Sequence, residues 1–130
     1  MAGVVTLGVW SDGEKTALQA LDLRSGERRG LARLAVLGSH AATIGRWAFD
    51  PVALQWGADA LRAACPTDLL IVDELGPLEL SNAGGWVSAL TALQFGAYGA
   101  AVVTVRPGLV QRFSDVAAVR HTVVLGRPAP

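Results

Sequence analysis

The chain has 130 residues, 52% of them hydrophobic and 17% charged, which suits one domain with a real core and excludes disorder. Eleven basic and eleven acidic side chains cancel, leaving no electrostatic footprint for nucleic acid and no like-charge block for an anionic membrane surface. One cysteine (Cys65) excludes an internal disulfide, and neither a basic leader nor a membrane-length apolar run is present, so a soluble, cytoplasmic protein is expected.

In chain order, Val4 to Trp10 is β-rich, Ser11-Asp12-Gly13 has turn chemistry, and Thr16 to Leu23 alternates in part. Ser25-Gly26-Glu27 is a second turn, Leu31 to Leu37 a third strand and Ala41 to Trp47 a weaker fourth. Turns at this rhythm predict an antiparallel meander over residues 1–48. The pattern changes at Asp50-Pro51, a good N-cap followed by a proline suited to the first helical position. Leu54, Ala58, Leu61 and Cys65 then share one helical face, and Pro66 ends the helix. Leu69 to Asp73 reads as a strand without a solvent face, because its four apolar positions are consecutive. Ser81-Asn82 offers a cap for a second helix, with Trp86, Leu90, Leu93 and Ala97 as its apolar stripe and Gly84 and Gly85 weakening its first turn. Ala100 to Val105 is a second uninterrupted apolar strand. Arg106-Pro107-Gly108, a short helix around Leu109 to Phe113, and a final strand at Thr122 to Leu125 complete the series. Helices between buried strands imply right-handed crossovers and a parallel sheet for residues 49–125. The whole reads as a single α/β domain.

Two carboxylates, Asp73 and Glu74, stand where the first buried strand leaves the sheet, the end at which open α/β sheets bind ligands. The pair resembles the Walker B element of P-loop NTPases, whose Asp holds Mg²⁺ and whose Glu orients the attacking water. Its bland alternative is a solvated strand end capping the next turn. The continuation Gly76-Pro77-Leu78-Glu79-Leu80 favours the Walker B descent, with Glu79 either lining the site or starting a surface helix.

A phosphate loop is harder to find. Gly8-Val9-Trp10-Ser11-Asp12-Gly13-Glu14-Lys15-Thr16 approximates G-x-x-x-x-G-K-[ST], but Glu14 is inserted before the lysine. The extra residue turns Lys15 and Thr16 out of register, and its carboxylate repels phosphate. A hairpin with its tip at Ser11 to Lys15 is the expected structure; an aberrant phosphate loop is the alternative.

Gly3-Val4-Val5-Thr6, the Asp12-Gly13 turn, Leu21-Asp22-Leu23, Ser25-Gly26-Glu27 and the Asp73 to Leu80 run together resemble the thermophilic nucleoside triphosphatase family, the cancer-related nucleoside triphosphatase of animals. The resemblance implies a RecA-like parallel sheet flanked by helices, carrying an N-terminal hairpin, over about Gly3 to Leu125. It also implies that the family's opening strand, phosphate-binding loop and helix are missing from this chain. On this resemblance Asp73 would bind Mg²⁺ with ATP or GTP, Glu74 would position the nucleophilic water, and Arg106 would contact a γ-phosphate. The alternative for Arg106 is a salt bridge to Asp73 or Glu74. With no cradle for the phosphates, the isolated chain is expected to be a weak NTPase or none, because phosphoryl transfer is catalysed mostly by positioning and electrostatics. Its partner is then a chain bearing the phosphate loop, or further copies of itself. The rival reading is a non-catalytic scaffolding module that associates through its sheet edge. His40, His121 and Cys65 lack metal-ligand spacing, and Trp10, Trp47, Trp56 and Trp86 read as core or interface anchors.

Overall fold

Asp12 and Gly13 both take positive φ, 51° and 78°. Two successive residues in that region form the tight turn whose twist matches a pair of antiparallel strands. The computed structural model describes residues 1–35, 43–44, 47–75 and 87–126. In it this turn joins β1 (Ala2–Ser11) to β2 (Glu14–Asp22), with Val4 opposite Asp22 and Val9 opposite Ala17. Gly8 to Thr16 is therefore a hairpin, and the phosphate-loop alternative for that segment is excluded.

Asp22 then folds the chain over again. Its side chain accepts hydrogen bonds from the Arg24 N–H at 3.0 Å and the Ser25 hydroxyl at 3.1 Å, and Gly26 sits at φ 77°. β3 (Arg28–Leu34) returns antiparallel to β2, and β5 (Trp47–Phe49) pairs with β3 while β4 (Thr43–Ile44) pairs with β5. The third expected strand thus starts earlier, at Arg28, and its positions 36 and 37 lie outside the described residues. The weak fourth strand is two short strands; residues 41, 42, 45 and 46 of it also lie outside.

α1 (Pro51–Arg62) begins as the sequence predicts, with the Asp50 carboxylate accepting from the N–H of Val52 at 2.9 Å and of Ala53 at 3.4 Å. Ala53, Gly57, Ala58 and Leu61 are its buried face. The helix ends three residues short of Cys65. Pro66 bars continuation, since its ring would meet the carbonyl of Arg62, and the Arg24 guanidinium, from the β2–β3 turn, holds the segment that follows by donating to the carbonyls of Ala63 (2.7 Å), Ala64 (2.7 Å) and Pro66 (3.2 Å). Ala63 is the C-cap, so one of these acceptors is an orphan carbonyl of the helix end.

β6 (Thr67–Leu75) and β7 (Tyr98–Val105) are parallel, joined through α2 (Val87–Phe95), and β6 also runs parallel to β1. Gly3 makes the β1–β6 approach feasible, since a Cβ there would lie 1.8 Å from the Ile71 carbonyl oxygen. The expected cap at Ser81-Asn82 and Trp86 lie outside the described residues. A 3₁₀ turn (Pro107–Leu109) and α3 (Val110–Val116) follow β7. The sheet order is β4-β5-β3-β2-β1-β6-β7, an antiparallel meander fused to a parallel half. No described helix is long and apolar enough to cross a membrane.

The register decides what the sheet buries. Ala2, Val4, Leu70 and Val72 share one face with Ala20 and Leu18, and all are 5% exposed or less. Ala53 and Leu61 of α1, Ala89, Ala92 and Leu93 of α2 and Phe113 of α3 join the same core cluster. Helices therefore cover one face. The opposite face carries Val5, Leu21, Leu69 and Ile71, half-buried, and Ala100, Val102 and Thr104, exposed, with no helix over it among the described residues. Neither apolar strand is thus closed on both faces as the sequence suggests. Residues 122–125 depart further, since they form no strand. Val123, Val124 and Leu125 are 81%, 83% and 90% exposed, so their apolar run has found no neighbour to pair with.

Candidate functional site

Asp73 lies near the carboxyl end of β6, the strand that has parallel neighbours on both sides. Strand alternation sets it on the face that the helices leave open, beyond Leu69 and Ile71. Its two oxygens face different strands. Oδ2 accepts a hydrogen bond from the Thr6 backbone N–H of β1 at 3.0 Å, and Oδ1 accepts one from the Thr104 hydroxyl of β7 at 2.5 Å. The β1–β6 register pairs end at Val4↔Val72, and the β6–β7 register shifts between Val72 and Leu75. The carboxylate thus spans the strand ends where regular pairing loosens.

The sequence identified Asp73 but missed both of its partners. Thr104 did carry a signal, being the one polar residue in Ala100 to Val105, two positions beyond Val102 on the same side of its strand. Thr6 had none, because its contribution is a main-chain N–H.

Glu74 follows Asp73 within β6. Glu79 and the rest of the Gly76 to Leu80 continuation lie outside the described residues. Arg106 leaves β7 immediately after Val105, the register partner of Leu75, so the structure brings its backbone to the Asp73 end of the sheet. Its side chain is exposed and makes no ion pair with Asp73; the Glu74 side chain, the other expected partner, lies outside the described ones. No cluster of three or more His, Cys, Asp or Glu side chains suited to a metal occurs among the described residues. Trp47 and Trp56 pack against the core, and Arg29 lies over the Trp56 ring at 5.1 Å. Trp10, by contrast, is 63% exposed at the hairpin tip with the Lys15 ammonium 5.4 Å from its ring. Lys15 is thus engaged by an indole.

One acidic group therefore stands at the end of a parallel strand, hydrogen-bonded from both neighbouring strands, in an α/β sheet with helices on one side. Such an arrangement defines an α/β fold with a mixed sheet and an acidic group at its carboxyl edge. The solution structure of a human cancer-related nucleoside triphosphatase shares this fold with a TM-score of 0.59, at 18% identity, covering 88% of this chain and 68% of that one. A family model described as NTPase matches residues 1–125, and the chain belongs to that family. Among curated proteins it is 34% identical over 82 residues to the nucleoside-triphosphatase THEP1 of Archaeoglobus fulgidus, covering 63% of this chain and 47% of that protein. It is 33% identical over 79 residues to the THEP1 of Pyrobaculum aerophilum, covering 61% and 43%. The matches thus span under half the length of these curated relatives.

Proposed function

We propose that this chain is a nucleoside-triphosphatase-like subunit that keeps the Walker B half of the site and hydrolyses nucleotide only with a partner that supplies the phosphate loop. The observation that carries this reading is the Asp73 carboxylate, fixed at the carboxyl end of β6 by Thr6 and Thr104. A carboxylate has about four lone-pair positions, so two accepted hydrogen bonds leave it able to take a cation. A single carboxylate suits Mg²⁺, which is usually held by one or two such groups together with substrate phosphates and water. The donor set therefore fits a nucleotide-borne Mg²⁺ and does not fit a free-standing metal centre. Asp73 would hold that ion, Glu74 would orient the nucleophilic water and Arg106 would meet the γ-phosphate.

The hairpin at Gly8 to Thr16 supports the dependence on a partner, because the segment nearest a phosphate-loop pattern is committed to the sheet. So does the open face on which Asp73 and Thr104 lie. The test mixes purified chain with Mg²⁺ and ATP or GTP, then repeats the assay with the portion of the Archaeoglobus fulgidus relative that this chain does not match. The chain alone is expected to neither bind nor hydrolyse nucleotide, and the mixture to release phosphate in a reaction lost in Asp73→Asn. Hydrolysis by the chain alone, or none in any mixture, overturns the reading. The second outcome would leave the scaffolding alternative, which the uncharged outer edge of β7 favours.

A further inference from the structure

We draw no further inference here: the strongest candidate, the exposed Trp10 indole beside Lys15 at the tip of the β1–β2 hairpin, carries nothing, because strand alternation sets it on the opposite face of the sheet from Asp73 and nothing in the structure shows what covers it.

Discussion

Asp73 has two roles that mutation can separate. As an acceptor for Thr6 and Thr104 it ties β1 and β7 to β6; as a carboxylate it offers charge to a cation. Asp73→Asn keeps one acceptor oxygen and loses the charge, so it should abolish partner-assisted hydrolysis while costing stability only modestly. Asp73→Ala strands both donors. Hydrogen bonds to a charged group are worth about 1.5–3 kcal/mol each, and the partly exposed site lets water offset some of that, so a loss of about 2–3 kcal/mol is expected in urea unfolding. Thr104→Val removes one donor and should cost about 1 kcal/mol. If Asp73→Ala and Thr104→Val are equally mild, the carboxylate is not holding the strands together. The sequence made Asp73 legible because a carboxylate after four apolar residues stands out. Its partners were less so, because a cross-strand hydrogen bond depends on register, which one strand's sequence does not carry.

At the scale of elements, local chemistry was legible wherever it decides the outcome. Asp12-Gly13 set the first turn, and Asp50-Pro51 set the start of α1. What escaped depends on a distant neighbour. The carbonyls of Ala63 and Ala64, just past the end of α1 at Arg62, are taken by Arg24, far away in sequence. Arg24→Ala should therefore loosen the hairpin against the end of α1, with a cost of about 1–2 kcal/mol allowing for solvent at the exposed guanidinium. Thr122 to Leu125 has the composition of a strand, but a strand needs an edge to pair with, and composition cannot supply one. The hairpin makes a further prediction. Lys15 sits over Trp10 at its tip, so Lys15→Ala should leave any nucleotide binding unchanged, measured by calorimetry in the partner mixture. A phosphate-loop lysine would abolish binding when removed.

For the molecule as a whole, the one-sided cover makes stability uneven, and hydrogen exchange should display it. β1 and β6 each have a strand on both sides and bury Val4, Leu70 and Val72 beneath the helices, so their amides should open only with global unfolding. Residues 118–125, exposed and in no regular element, should exchange at nearly the rate of free peptide. β7 is the informative case. In an edge strand alternate amides point toward the neighbour and away from it, so a lone chain should show protection at every second residue of Tyr98–Val105. Pairing at the outer edge would protect the remaining amides as well. With the phosphate-loop portion of the Archaeoglobus fulgidus relative added, slow exchange should therefore run through consecutive residues of β7, whereas the chain alone should show the alternating pattern. The comparison needs no nucleotide, and it reads the edge directly. Uniform protection in both samples would mean that the sheet is already closed at β7. Alternation in both would mean that the phosphate-loop partner does not add a strand beside Thr104.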